Sequence, residues 1–222
     1  TGAPSPWAVV ASTVVLSLLL LVVARLLRAG GRRLATVWSR RVRGPAATWL
    51  GGLSMAVVLG LGVVGLYAVS TVVFGRIDAD TAGQTRPASP ARTGSPASAV
   101  AWDSLGREGR TFVSSGPTGA QIATFAGTAA APEPVRVFAG LESAPSAPAR
   151  ADLAVQELRR TGGFARKAVV VITTTGNGFV DPVAADSLEY VMGGDVASAA
   201  IQYSTLPSWL SFLVNKLSLI HI

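Results

Sequence analysis

The residues whose chemistry is most suggestive occupy a polar loop between an apolar run and a helix start. They are Thr174, Thr175, Gly176, Asn177, Gly178 and Phe179. A loop in front of a helix presents unpaired backbone amides, which suit an anion or the oxyanion of an acyl-transfer intermediate. We therefore predict a candidate oxyanion loop here. A tight glycine turn that binds no ligand accounts for the same residues equally well.

Gly176 and Gly178 also match the start of the G-x-G-x-x-G nucleotide-binding pattern. Asp181 stands where the third glycine belongs, and a lone G-x-G is weak evidence. We therefore predict no nucleotide and no other cofactor. The nearby carboxylates have simpler roles. Asp181 is expected to cap a helix, whereas Asp186 and Glu189, one helical turn apart, are expected to face solvent.

A serine nucleophile with its catalytic partners is missing from the pattern. The G-x-S-x-G turn that presents such a serine does not occur, and the nearest string, Gly52 to Ala56, lies in an apolar segment. His221 is the sole histidine and there is no cysteine, so neither a Ser–His–acid triad nor a metal site is expected. A second candidate site is an apolar pocket mouth formed by Tyr203, Ser204 and Trp209, for which ordinary core packing is the alternative.

Strands and helices that would position these residues alternate along the second half of the chain. The apolar, β-branched run 168–173 predicts a strand buried on both faces. The remaining predicted elements are strands over 135–139 and 196–202, a short strand at 110–113, and helices over 118–125, 146–161 and 182–192. This order predicts a βαβαβ unit of an α/β fold. Ligands of such sheets bind beyond the carboxyl ends of the strands, where the oxyanion loop and Tyr203 both lie.

Two apolar segments, about 7–27 and 48–74, predict a transmembrane helical hairpin at the N-terminus; Trp7 to Ala24 and the whole second segment carry no charge. Arginines without any acidic residue fill the connection over 25–43, which predicts a cytoplasmic basic loop and an extracytoplasmic α/β domain. The protein is therefore expected to be a multi-pass protein of the cell membrane, in contact with membrane lipid. Much of the basic charge clusters between the two apolar segments, so no nucleic-acid partner is predicted.

Small residues and composition predict the remaining organisation. Gly52, Ala56 and Gly60 fall on one helix face, a spacing that lets another helix approach closely, although glycine is also simply common in membrane helices. The membrane domain is expected over 1–75. Residues 76–100, rich in Ala, Ser, Thr, Pro and Gly, predict a flexible linker before a domain over 101–216. Residues 217–222 are either an artefactual tail or a short apolar end.

Three strings in the second half of the chain resemble a family of actinobacterial membrane-anchored α/β-hydrolases. They are VRVFAGLESAPSAPARADLAVQELRRTGGF, VVVITTTGNGFVDPVAADSLEYVMGGD and IQYSTLPSWLSFLV. Members join an N-terminal multi-span membrane domain to a C-terminal α/β-hydrolase catalytic domain. The resemblance implies that the serine nucleophile and its partners would follow Lys216. The chain would then be a fragment with a partial α/β-hydrolase domain, inactive by itself.

By that resemblance, the parent protein is expected to be a serine esterase or lipase-like hydrolase that acts outside the cytoplasm on an ester or lipid substrate. The alternative comes from a different class: a non-catalytic, membrane-anchored α/β binding or scaffold module, because a fold does not determine a function. A transporter is not favoured, since the apolar segments carry no charged residue to mark a pathway.

Overall fold

The computed structural model describes residues 6–80 and 82–214 of the chain. Two compact units divide the chain, Thr1–Val69 and Ser70–Ile222. Lys216, His221 and the tail predicted over 217–222 lie outside the described residues.

The first unit consists of helix α1 (Pro6–Ser39) and most of helix α2 (Ala46–Ala79). In the described part of the chain, one helix, α2, is long and apolar enough to cross a membrane. The basic connection predicted as a loop over 25–43 is largely helical, since α1 continues to Ser39 and only residues 40–45 separate the two helices. Arginine is a good helix former, so the charge pattern did not reveal where α1 ends.

The two helices contact each other near this connection. A Cβ atom added to Gly51 would lie 2.7 Å from the backbone nitrogen of Ala35, so only glycine permits the approach. The indole Nε1 of Trp38 donates a hydrogen bond to Ser54 Oγ at 2.9 Å. A Cβ atom at Gly52, in contrast, would meet nothing within 4 Å. The contact between α1 and α2 therefore uses Gly51 rather than the predicted Gly52 face, whose association with another helix stays a prediction.

The second unit contains a parallel sheet of three strands in the order β1-β3-β2. The strands are β1 (Val135–Ala139), β2 (Ala168–Ile172) and β3 (Val196–Ile201). The helices of this unit are α3 (Gly106–Ser114), α4 (Gly119–Ala126), α5 (Ala147–Arg160), α6 (Pro182–Val191) and α7 (Ser208–Val214). The helix starts follow from local capping. The Asp181 carboxylate accepts the amide of Val183 at 2.9 Å, as predicted for α6.

Helices cover both faces of the sheet, so the unit has two apolar clusters. On one face α5 packs against β1 and β3; the buried residues there are Val135, Val137, Ala154, Leu158, Ala197 and Ala199. On the other face lie α3 and α6; the buried residues there are Val100, Leu105, Phe112, Val113, Phe138, Ala185 and Ala200. The crossovers through α5 and α6 run in opposite directions along the sheet, which places the two helices on opposite faces when both are right-handed.

Two predictions about this unit are wrong. The strand over 168–173 was expected to be buried on both faces, but β2 is an edge strand, and Val171 is 80 % exposed. An apolar run has the same appearance at the edge and in the centre of a parallel sheet. Residues 110–113 were expected to form a strand but lie within α3, where Gly109, Phe112 and Val113 form a buried helical face.

The segment predicted as a linker has no helix or strand over residues 91–100, yet much of it is packed. Arg92 and Thr93 are 4 % and 0 % exposed. The Thr93 amide donates to the Arg136 carbonyl at 3.0 Å, in a parallel bridge along the outer edge of β1. Ser, Thr, Pro and Gly are common in linkers, but here they form a loop that covers a sheet edge.

Candidate active site at the carboxyl edge of the sheet

Gln202, the residue after β3, joins the carboxyl ends of the strands. Its side chain is buried, and its Oε1 accepts the amide of Leu141, which follows β1, at 3.2 Å. Its Nε2 donates to the carbonyl of Ser204 at 3.0 Å and to Oδ2 of Asp78 at 3.2 Å. Asp78 lies in the last turn of α2, and this end of the helix, from Ser70 onward, belongs to the second unit. A residue far upstream in the chain is thus part of this edge.

The candidate oxyanion loop bonds mainly to itself. The Gly178 amide donates to the Thr175 carbonyl at 3.0 Å, and the Phe179 amide donates to Thr175 Oγ1 at 3.1 Å. The Thr175 amide donates to the Phe179 carbonyl at 3.2 Å, and the Gly176 amide donates to Ser208 Oγ at 3.2 Å. These bonds hold the loop in one conformation against the start of α7.

The Asn177 amide, like that of Thr174, donates no hydrogen bond within the described residues, whereas the amides of the other four loop residues do. The side-chain Oδ1 of Asn177 accepts from Thr175 Oγ1 at 2.6 Å, which fixes the residue at the tip of the loop. In the α/β-hydrolases that the sequence resembles, an early loop supplies one oxyanion donor, and the residue after the nucleophile supplies the other. The loop would therefore have to contribute one unpaired backbone amide to an oxyanion hole. The oxyanion role itself stays a prediction.

A cavity of about 20 Å³ lies beside Asn177. Its lining residues are Phe74, Ile77, Asp78, Arg107, Glu108, Asn177 and Thr205. This volume holds about one water molecule. Oδ1 of Asp78 is buried and has no hydrogen-bond partner within the described residues. The cavity therefore lies between Asn177 and the Asp78 carboxyl; burial raises the pKa of Asp78, while hydrogen bonds from Gln202 and the Arg107 amide oppose that increase.

The carboxylates at this cavity influence each other. Burial raises the pKa of Glu108, the charge of Asp78 adds to that increase, and Arg107 opposes it. Gly106 permits the approach of Asp78, because a Cβ atom there would lie 2.8 Å from both carboxylate oxygens. Its φ of +65° also favours glycine. The arrangement can hold a proton or a polar ligand group next to the loop.

The predicted pocket residues have different environments. Ser204 is buried, its amide donates to the Gly176 carbonyl at 2.9 Å, and its Oγ accepts the Leu206 amide at 3.0 Å. Tyr203 is half-buried, whereas Trp209 is 68 % exposed. Ser204 thus supports the turn beneath the oxyanion loop, and a pocket formed by all three residues stays a prediction.

A buried ion network, which the sequence interpretation missed, lies on the α3 and α6 face of the sheet. Arg136 is fully buried, and its Nε and Nη2 donate to the two carboxylate oxygens of Glu189 at 2.7 and 2.8 Å. Nη2 also donates to Asp186 at 2.6 Å, and Nη1 donates to the Phe112 carbonyl at 2.9 Å. The prediction that Asp186 and Glu189 face solvent is wrong for Glu189, which is fully buried, whereas Asp186 binds the guanidinium and stays partly exposed. The one available signal was the lone arginine inside the apolar run of β1.

The charge state of Arg136 follows from these contacts. Burial alone would lower the pKa of Arg136, but the bonds to Glu189 and Asp186 outweigh it and raise the pKa. The guanidinium is therefore charged and paired. It also lies 4.9 Å from the centre of the Phe112 ring, a cation–π contact.

A second buried carboxylate, Glu157 of α5, anchors the segment before the sheet. It accepts hydrogen bonds from the amide of Ala99 at 2.8 Å, from Ser98 Oγ at 2.9 Å and from Thr93 Oγ1 at 3.2 Å. Arg160 binds it through two nitrogens at 2.7 and 2.8 Å. Burial raises the pKa of Glu157, but the bonds from Arg160, Ala99 and Ser98 outweigh it and hold the pKa below its ordinary value.

The parallel sheet with helices on both faces defines an α/β protein whose ligand-binding edge is built by the loops after its strands. Residues 1–117 match the model of the N-terminus of an alpha/beta-hydrolase family, and residues 135–220 match the model of an alpha/beta-hydrolase family. The first match covers more than half of the chain, so the chain belongs to the alpha/beta-hydrolase family. No curated protein and no solved structure matches it.

The resemblance stated from the sequence is thus confirmed at the level of the family. The α/β fold is confirmed as well. The actinobacterial origin, the anchoring in a membrane, the helical hairpin and its orientation stay predictions.

Proposed function

We propose that the chain is the membrane anchor and the first part of the catalytic domain of a serine hydrolase that cleaves esters outside the cytoplasm. Family membership supports hydrolysis, and the apolar helix α2 supports the anchor. In this proposal the nucleophile follows Lys216, and the chain supplies the loop that binds the developing oxyanion. An amphiphilic ester is the substrate class that suits an anchored enzyme.

The observation that carries the proposal is the unpaired amide of Asn177 at the tip of a loop in which the amides of Thr175, Gly176, Gly178 and Phe179 are all bonded. An oxyanion donor must be aimed before the reaction begins, because a donor that has to reorient loses most of its effect. The bonds through Thr175 and Ser208 fix the loop without using the Asn177 amide. The adjacent cavity leaves room for a small polar group beside it.

The test uses the full-length gene product, purified in detergent, with p-nitrophenyl butyrate and a fluorophosphonate probe that labels activated serines. We expect ester hydrolysis and labelling of one serine downstream of Lys216. Asn177→Pro removes the backbone donor and should lower kcat by about 10²- to 10³-fold. The matched variant Asn177→Ala keeps the donor and should change kcat far less. Absence of both hydrolysis and labelling would sink the enzyme hypothesis, and equal effects of the two variants would exclude the donor role.

The orientation has a separate test, because the chain has no native cysteine. Arg41→Cys introduces one exposed thiol and Asp195→Cys a half-exposed one, on either side of the proposed membrane span. With a membrane-impermeant maleimide, we expect labelling of the Asp195 variant in intact cells and of the Arg41 variant only after lysis. The reverse pattern would place the α/β domain in the cytoplasm.

One observation favours the alternative, a non-catalytic binding module. Most amides of the candidate oxyanion loop are already used, and Gly176 is packed so closely that an added Cβ would collide with the Leu206 carbonyl. A ligand-free glycine turn would have the same bonds. A full-length sequence with an intact sheet but without a G-x-S-x-G turn would favour this module over the enzyme.

A further inference from the structure

Seven arginines around the connection of α1 and α2 form what we call the arginine surface. They are Arg25, Arg28, Arg32, Arg33, Arg40, Arg41 and Arg43. All seven are exposed, and none of their side chains takes part in an ion pair or hydrogen bond within residues 6–80 and 82–214. No acidic residue precedes Asp78, and the other twelve basic residues of the chain balance its twelve acidic residues. The whole net charge of +7 therefore belongs to this surface.

The helical part of this surface stays exposed beside the contact of α1 with α2. Ala35 and Trp38 of α1 contact α2. Arg25, Arg28 and Arg32 are spaced by three and four residues, so they share one side of α1, and they stay exposed. The packing of the two helices therefore leaves these guanidiniums available for an external partner.

The length of α2 indicates where this surface lies relative to a bilayer. A helix of 34 residues is about 51 Å long, whereas a span needs about 20 residues for a hydrocarbon core of about 30 Å. A span of that length counted back from Arg76 begins near residue 56. The part of α2 that contacts α1, including Gly51 and Ser54, then lies outside the core. Because Gly30 lies against Met55, the arginines from Arg32 to Arg43 are at the depth of the lipid headgroups, whereas Arg25 and Arg28 lie up to about 8 Å deeper and reach the headgroups with their long side chains.

We propose that the arginine surface binds the phosphates of anionic phospholipids in the adjoining leaflet. A guanidinium forms paired hydrogen bonds with phosphate oxygens and loses little hydration when it does so, which favours it over a simple point charge for this purpose. Charge complementarity and the continuity with an apolar helix both select lipid as the partner. The inference concerns the first unit and is independent of whether the second unit hydrolyses esters.

The experiment titrates dioctanoyl phosphatidylglycerol, and separately dioctanoyl phosphatidylcholine, into the detergent-solubilised full chain and follows binding by calorimetry. We expect selective binding of the anionic lipid, weakened by added salt. Each basic residue near a membrane surface contributes about fivefold in affinity. Arg25, Arg28 and Arg32 changed together to Gln should therefore lower the affinity by about 100-fold.

The matched control changes Arg107, Arg159 and Lys167 to Gln, because these exposed residues of the second unit remove the same charge. We expect this control to leave lipid binding unchanged. If the Arg→Gln triple variant loses helix content by circular dichroism, lipid binding is measured on the corresponding Arg→Lys triple variant instead. This variant keeps the charge and should bind within a few-fold of the native chain.

Three results would overturn the proposal. Equal affinity for the two lipids would show that the surface is merely solvated. Equal losses in the two Gln triples would show that only net charge matters. Displacement of phosphatidylglycerol by a short DNA duplex at lower concentration would identify nucleic acid as the better ligand.

Discussion

Replacement of Arg136 by methionine should destabilise the α/β unit strongly. The methionine fills a similar volume, but it leaves the carboxylate of Glu189 without its two hydrogen bonds at 0 % exposure. The carbonyl of Phe112 also loses its donor. Breaking a buried ion pair from one side costs about 3–5 kcal/mol, because the remaining charge is uncompensated. The expected loss is therefore about 4 kcal/mol.

The double variant Arg136→Met/Glu189→Leu separates this cause from lost packing. Removing both charges removes the desolvation penalty as well, and such replacements are often neutral. Asp186 is 38 % exposed on its side chain and can be hydrated when its partner is absent. The double variant should therefore be more stable than Arg136→Met alone, although it carries one more substitution.

Pulse proteolysis in urea measures these differences on the detergent-solubilised chain, because the protease cleaves the unfolded population selectively. With a slope of about 2 kcal/mol per M, a loss of about 4 kcal/mol lowers the midpoint by about 2 M. A loss below about 1 kcal/mol for Arg136→Met would refute the reasoning. So would a double variant that is less stable than the single one, because the penalty would then not come from an unpaired charge.

Three further outcomes are expected. Gly51→Leu should disrupt the contact between α1 and α2, because its Cβ would lie within 3 Å of Ala35, whereas Gly52→Leu should be tolerated because its Cβ would meet nothing. The yield of a disulfide between two cysteines, one placed on each helix at the contact, measures how well the contact forms in each variant. Because folding lowers the pKa of Glu157, this carboxylate stabilises the fold fully above its ordinary pKa of 4.5, and the stabilisation is lost as the pH falls through the pKa of the folded state. The free energy of unfolding should therefore depend less on acidic pH in Glu157→Gln than in the native chain. The same pH dependence in both would contradict this. Gly176→Ala should displace the oxyanion loop, because its Cβ would collide with a backbone carbonyl, and hydrogen exchange of the loop should accelerate; unchanged protection would contradict the close contact.

Local sequence patterns predicted most elements of the sheet. Val135–Ala139 forms a strand over the predicted residues, and the helix expected over 182–192 ends one residue earlier. These elements depend on signals within a few residues, namely β-branched runs, the cap at Asp181 and the glycines after α6. Local signals cannot distinguish an edge strand from a central one, so the exposure of β2 was not predicted.

The contacts that define the candidate site depend instead on distant partners. Asp78 reaches Gln202 across a separation of 124 residues, and no spacing rule connects such a pair. Arg136 is likewise paired with Glu189 at a separation of 53 residues. The sequence placed the oxyanion loop at the carboxyl end of β2 because the order of strand, loop and helix is local. Which of its amides is unpaired depends on Ser208 and on the turn itself, so only the structure identifies Asn177.

The ion network has a consequence for how members of this family can exchange parts. The two family models divide the chain between residues 117 and 135, but the folded unit does not divide there. Arg136 depends on Phe112, and Glu157 depends on Ser98 and Ala99, all upstream of that interval. Recombination within it would give both buried charges foreign partners. A crossover near residue 69, inside α2, would keep every one of these pairs together and would also leave Asp78 with Gln202, so the N-terminal helices can be exchanged there without giving these buried groups foreign partners.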